Sequence, residues 1–342
     1  MDFLKRLPTL HEIFLKYPLN KEYIKRKIIR DKEIKSIFEG KSDKFLLIIG
    51  PCSADREDAV LDYMQRLSKL QERVKENIVF IPRVYTSKPR TIGNGYKGLL
   101  HQPFLDRGED IVEGIIAVRR IHKRVIEETG LFAADEMLYP EIMGYISDLL
   151  SYLAVGARSV ENQQHRLTAS GVNIPVGMKN PLSGDMAVML NSIVTAQLPH
   201  HFIYHGWEVI SHGNIYAHAI LRGGVDSAGK SVPNYHYDDL RKLYDTYKSR
   251  NVENMSLIVD CNHNNSDKNH EEQGNIAVDV IHSMGKNAEI SRMVKGLMIE
   301  SYIEDGCQPV GGTIYGKSIT DPCLGWDKTE KLVLEISEKI NK

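Results

Sequence analysis

The chain predicts a closed (β/α)8 barrel, an α/β fold, preceded by a helical extension. Three observations carry this. Short apolar runs alternate with helical stretches in the manner of parallel βαβ units. There are eight such runs after residue 43. The roughly 300 residues that hold them are also a normal size for one barrel. An open doubly wound sheet is the alternative, but no G-x-G-x-x-G follows the first run.

Residues 1–43 stand apart as the N-terminal helical extension. Thr9 with Glu12 makes a capping-box pattern, and Leu10, Ile13, Phe14 and Tyr17 follow at helical spacing until Pro18. A second helix over 21–38 is rich in Lys and Arg and carries Ile24, Ile28, Ile34 and Ile37, with a solvated basic outer face.

The barrel is expected over 44–342. FLLIIG (45–50) is the first strand, followed by an amphipathic helix over 55–74 with Asp55 near its start. NIVFIPRVY (77–85) is the second, then a long loop and a helix over 110–129. LFAADEM (131–137) precedes a helix near 140–150, YLAVGAR (152–158) one over 163–170, and IPVGMKN (174–180) one over 185–197. HHFIYH (200–205) reads as strand six, followed by a β-prone excursion over 207–224 and a helix over 238–250. MSLIVDCNHN (255–264) and VKGLMIES (294–301) complete the strands, with helices over 275–284 and 328–340.

Composition narrows the function. Lys+Arg 44 against Asp+Glu 45 offers no support for a nucleic-acid or membrane-surface partner. No apolar run approaches the ~18 residues of a membrane span, and the N-terminus has no continuous signal-type apolar region. Four scattered cysteines are not a disulfide framework. A cytoplasmic protein is expected.

In a barrel the C-terminal strand ends converge on one site. Here they carry Cys52, Arg83, Glu136, Arg158, Lys179, His205, His263 and Glu300, with Arg222 after the excursion. Any one alone reads as structural: a strand-end Arg as a salt-bridge partner, a lone Cys as a small hydrophobe. Ionisable groups at every strand end need partners, and ligands supply them. Arg83, Lys88, Arg90, Arg158, Lys179 and Arg222 would suit more than one phosphate or carboxylate. Cys52, His263 and Glu300 offer a thiolate, an imidazole and a carboxylate, and Asp321 could add a fourth donor. Such a set suits one divalent Mn, Fe, Co or Zn better than Mg or Ca; an inert buried Cys52 is the competing reading.

Several motifs then match a known family: GPCS (50–53), RVYTSKPRT (83–91), GARSVENQQHR (156–166), PVGMKN (175–180), ILRGG (220–224), DCNHNNSDK (260–268), MIES (298–301) and YGKSITDPCLGW (315–326). Over about 40–327 the chain resembles the type I 3-deoxy-D-arabino-heptulosonate 7-phosphate (DAHP) synthases, metal-dependent first enzymes of the shikimate pathway. The resemblance implies condensation of phosphoenolpyruvate with erythrose 4-phosphate and release of phosphate. It implies Arg83, Lys88, Arg158, Lys179 and Arg222 as the phosphoenolpyruvate set, Arg90 and Thr91 on the erythrose phosphate, and Cys52, His263, Glu300 and Asp321 as metal ligands. Lys88 is the expected proton carrier, and Glu136 and His263 complete the catalytic set. Either Glu136 or a metal-bound water could activate the attacking water. A homodimer or homotetramer is also implied. The sister enzyme using arabinose 5-phosphate, and a silent regulatory barrel, are the alternatives; KPRT (88–91) argues for the four-carbon aldose and the filled site positions argue for activity. Residues 206–218 depart from the family pattern, so no aromatic effector is assigned.

Overall fold

The computed structural model describes residues 1–90 and 93–340. Its centre is an eight-stranded parallel sheet: β1 (Phe45–Gly50), β2 (Ile78–Pro82), β3 (Ala134–Glu136), β4 (Tyr152–Val155), β5 (Val176–Lys179), β6 (Ala217–Leu221), β7 (Leu257–Asp260) and β8 (Val294–Glu300). The hydrogen-bonded order is β2-β1-β8-β7-β6-β5-β4-β3. A parallel bridge between Arg83 and Ala134 joins β2 to β3 and closes the barrel.

Period-two alternation divides the strand side chains. Leu46, Ile48, Val79, Ile81, Ala134, Tyr152, Ala154, Ile220, Ile258 and Met298 form one apolar cluster in the barrel interior. Their neighbours Phe45, Leu47, Ile49, Ile78 and Phe80 pack outward beneath the helices. These helices are buried on one face only, as in α3 (Glu57–Val74) and α4 (Ile111–Thr129).

The extension forms α1 (Leu10–Lys16), with both hydrogen bonds of the Thr9/Glu12 capping box, and α2 (Lys21–Phe38). Ile34, Ile37 and Phe38 at the end of α2 belong to the interior cluster, so this helix seals the barrel floor. The helix expected near 140–150 is α only over Pro140–Met143. From Gly144 the chain continues in i→i+3 turns, such as Leu149 N–H to Ile146 O at 2.9 Å.

Strand six is a correction. HHFIYH is not a barrel strand: His201–Tyr204 pairs antiparallel with Trp207–Ile210 in a separate hairpin. His205 and Gly206 have φ of 50° and 76°, the positive values a two-residue type I′ turn needs. The hairpin's residues are exposed or half-buried, whereas AHAIL is buried throughout. The sixth strand is AHAIL, within the stretch read as an excursion, so the β-prone insertion precedes it rather than follows it. His205 therefore stands in a hairpin turn, not at a barrel strand's end.

Candidate active site

Each barrel strand ends where its apolar run gives way to polar residues, and those residues meet at one mouth. Gly50 closes β1 at φ 155°; a Cβ there would stand 2.7 Å from the Arg83 carbonyl oxygen. Its lack of a side chain lets the β1 and β2 ends approach, which sets Cys52 beside the loop carrying Lys88. Lys88 Nζ donates to the Cys52 carbonyl at 2.6 Å and lies 3.0 Å from Cys52 Sγ.

Glu300, at the end of β8, is fully buried. Its Oε1 accepts from Arg83 Nη2 at 2.8 Å and its Oε2 from Asn262 Nδ2 at 2.6 Å. Cys52, Glu300 and Asp321 present donor atoms within 4.8 Å of one another. His263 Nε2 lies 3.9 Å from Glu300 Oε1. One soft sulfur and two carboxylates thus converge, with the His263 imidazole beside Glu300 but outside that 4.8 Å group; as a donor set the four suit a divalent transition metal.

Arg83 is fully buried with its guanidinium carbon 4.0 Å from the centre of the Tyr85 ring. Its Nε and Nη1 are buried without a hydrogen-bond partner among the described residues. Lys179 Nζ lies 5.6 Å from the centre of that ring and donates to Glu136 Oε2 at 3.3 Å. Arg222 is held through its backbone N–H to Asn180 Oδ1 at 2.9 Å and through its guanidinium to Asn264 Oδ1. Arg158 is exposed at the rim. Arg90 Nε donates to the Tyr96 carbonyl at 2.7 Å. Thr91 lies outside the described residues.

Electrostatics follow from the crowding. Burial alone would neutralise Glu136, but Lys179 and Lys88 overturn that and hold its carboxyl below the usual range. Burial likewise opposes charge on Lys88, yet Cys52, Glu300 and Asp321 raise its pKa above the ordinary lysine value. Burial, then the like charge of Arg158, lowers Arg222 against the pull of Asp260. Burial and the charge of Glu300 push the Cys52 thiol up to about 11.

The sequence reading passed over Tyr85, Asn262 and Asp260, all built into this mouth. Asp260 had a usable signal: it is the first ionisable residue after the apolar run of β7, the same signature that marked Lys179 and Glu300. A second acidic group, His270 with Glu271 and Asp305, lies apart and is bridged by Lys328 at 2.8 and 2.7 Å. A cavity of about 650 Å³, lined by Thr168, Ser170, Phe202, Val209, Ser211 and Tyr216, adjoins the hairpin.

Residues 22–334 match the model of the DAHP synthetase I family. The Trp-sensitive phospho-2-dehydro-3-deoxyheptonate aldolase of Enterobacter agglomerans is 36% identical over 318 residues, covering 91% of this chain and 88% of that protein. The Tyr-sensitive enzyme of Escherichia coli K12 is 34% identical over 344 residues, covering 98% and 93%. The solved phospho-2-dehydro-3-deoxyheptonate aldolase of Francisella tularensis SCHU S4 superposes with a TM-score of 0.92 at 30% identity, over 100% of this chain and 98% of that one.

Proposed function

The chain belongs to the DAHP synthetase I family and catalyses the condensation of phosphoenolpyruvate with erythrose 4-phosphate, the first step of aromatic biosynthesis; from this premise we propose which residues carry the reaction. Phosphoenolpyruvate attacks the aldehyde carbon through C3, leaving an oxocarbenium-like C2 that water captures before phosphate departs by C–O cleavage. C3 is a weak nucleophile, so the two substrates must be held close and aligned.

Arg83, Lys88, Arg158, Lys179 and Arg222 bind phosphoenolpyruvate. The unpartnered buried donors of Arg83 support this, because they suit a carboxylate or phosphate oxygen. Arg90 and Thr91 hold the phosphate of the aldose. Lys88, kept protonated by its anionic neighbours, donates to the aldehyde oxygen as the new C–C bond forms. Glu136, kept ionised beside Lys179, accepts the proton of the attacking water. Family members are generally metal-dependent, and Cys52, His263, Glu300 and Asp321 would hold one Mn, Fe, Co or Zn ion. Bound there, the ion supplies Lewis-acid polarisation of the aldehyde.

The observation that carries this reading is the convergence of Cys52, Glu300 and Asp321 directly beside Lys88. The test is phosphate release from phosphoenolpyruvate plus erythrose 4-phosphate with Mn²⁺, with arabinose 5-phosphate in parallel. Turnover with the four-carbon sugar that chelator abolishes supports the assignment. Turnover that survives exhaustive chelation would remove the metal from it.

Residues 44–342 are the catalytic barrel in this reading, and 1–43 the extension that closes its floor. No helix of the described residues is long and apolar enough to cross a membrane. Four free thiols suit the reducing cytoplasm. A homodimer or homotetramer is supported by Ile203, Trp207 and Ile210, exposed by 75%, 73% and 67% on a two-stranded hairpin that is marginal by itself. The effectors in the relatives' names bear on the cavity beside that hairpin, which is large enough for an aromatic amino acid. Titrating Trp, Tyr and Phe into the assay tests that reading.

A further inference from the structure

We infer that Asp260 is a positioning residue that joins the metal-site histidine to a phosphoenolpyruvate-binding lysine, so that one carboxylate orients both halves of the site. This rests on the roles given above to His263 and Lys179.

Asp260 ends β7 and is fully buried. Its Oδ1 accepts the Asn262 N–H at 3.0 Å, which uses one oxygen to fix the carboxylate plane. The other oxygen, Oδ2, stands 2.9 Å from His263 Nδ1 and 3.8 Å from Lys179 Nζ. Oδ2 and His263 Nδ1 are both buried, and neither has a hydrogen-bond partner among the described residues; their 2.9 Å approach is an ion-pair distance without hydrogen-bond alignment. A buried carboxylate oxygen so placed demands cationic or N–H neighbours.

The chemistry follows. Nδ1 facing a carboxylate carries the ring proton, which leaves the Nε2 lone pair for the cluster at Glu300 Oε1, 3.9 Å away. His263 itself has φ of 53°, a left-handed backbone uncommon outside glycine. The same carboxylate faces Lys179, whose other partner is Glu136 at 3.3 Å. Lys179 is thus held between two carboxylates from different strands, and its ammonium cannot swing away from the mouth without abandoning one of them. Removing the Asp260 charge disturbs the metal ligand and the substrate ligand together.

Four full-length variants separate the possibilities: Asp260→Ala, Asp260→Asn, His263→Gln and Lys179→Met. Each is stripped of metal and titrated with Mn²⁺ alone, then, still metal-free, with phosphoenolpyruvate alone. His263→Gln should weaken Mn²⁺ binding only and Lys179→Met phosphoenolpyruvate binding only. Asp260→Ala should weaken both, Mn²⁺ by about 10–100-fold. Asp260→Asn, which can still accept from Nδ1–H, should recover part of the Mn²⁺ loss but not the phosphoenolpyruvate loss. If His263→Gln leaves Mn²⁺ binding intact, the metal site itself is misassigned. If His263→Gln weakens it and the Asp260 variants do not, this inference alone falls. Should the Asp260 variants fail to fold, ¹⁵N-imidazole spectra of the wild-type protein decide: Nδ1–H at His263 supports the inference, and Nε2–H overturns it.

Discussion

Gly156→Ala tests the mouth through a residue that does no chemistry. Gly156 follows β4, and a Cβ there would lie 2.5 Å from Glu136 Oε1 and 3.1 Å from its Cδ. The first distance is about 0.9 Å short of the 3.4 Å at which ordinary contact begins. Glu136 is the element able to yield, because β4 is paired on both sides, to β3 and β5. Its hydrogen bond from Lys179 is already 3.3 Å long, so a retreat of that size breaks it. The substitution should destabilise the fold by only about 1–3 kcal/mol, the usual range for overpacking. A displacement near 1 Å at the reacting centre, by contrast, costs on the order of 10²-fold in rate. Phosphate-release kinetics should therefore show kcat reduced about 10–100-fold in a protein that still folds. Gly108→Ala, where an added Cβ meets nothing within 4 Å, is the matched control. A Gly156→Ala enzyme with wild-type kcat would refute both the position of Glu136 and its part in the reaction.

Three further outcomes are expected. His218 lies buried in the barrel, its Nε2 2.7 Å from the Tyr152 hydroxyl, and burial lowers its pKa to about 4 from 6.5. The unfolded chain then takes up a proton that the folded chain refuses, so about 3 kcal/mol of stability present above pH 6.5 is lost as pH falls toward 4. Urea unfolding across that window should show the loss, and His218→Gln should flatten it; an unchanged slope counts against a neutral buried imidazole. Arg90→Ala should raise KM for erythrose 4-phosphate at least ~10-fold more than KM for phosphoenolpyruvate, consistent with removing one charge-assisted contact to a single substrate; equal rises would place Arg90 elsewhere. Because the Cys52 thiol sits at about 11, metal must displace its proton, and metal binding should tighten from pH 6.5 to 8. Competition against a chelator measures this, and Cys52→Ala should bind metal more weakly with less dependence on pH.

The barrel was readable because all of its strands but the sixth lie in or end short, mainly apolar runs bounded by turn residues, the pattern of a sheet covered on both faces. Strand six failed that test for a physical reason. AHAIL carries His218 in its centre, a residue whose polar atoms are satisfied by Tyr152 and the Tyr216 carbonyl, contacts invisible in one dimension. HFIY looked the better strand because it is apolar and aromatic, yet His205-Gly206 followed by another short apolar run is the signature of a tight hairpin. The site was readable where an ionisable side chain directly ends a strand, as with Arg83, Glu136, Lys179 and Glu300. Residues that act by touching those side chains were not. Asp260 ends β7 and carried the same signal, but its role rests on distances to His263 and Lys179; the Tyr85 ring matters because two cations lie over it.

The helix that seals the floor bears on where this enzyme begins. Ile34, Ile37 and Phe38 lie before the first strand, yet their side chains are as dry as those of the strands they touch. Full burial of three such side chains contributes roughly 5–9 kcal/mol, on the scale of a whole domain's margin of 5–15 kcal/mol. A polypeptide started at residue 44 would keep every catalytic side chain and still admit water from below, into the space beneath Tyr85, Tyr152 and His218. The boundary between extension and barrel is thus a seam in the sequence and no place to cut: the unit that folds and reacts includes its own stopper.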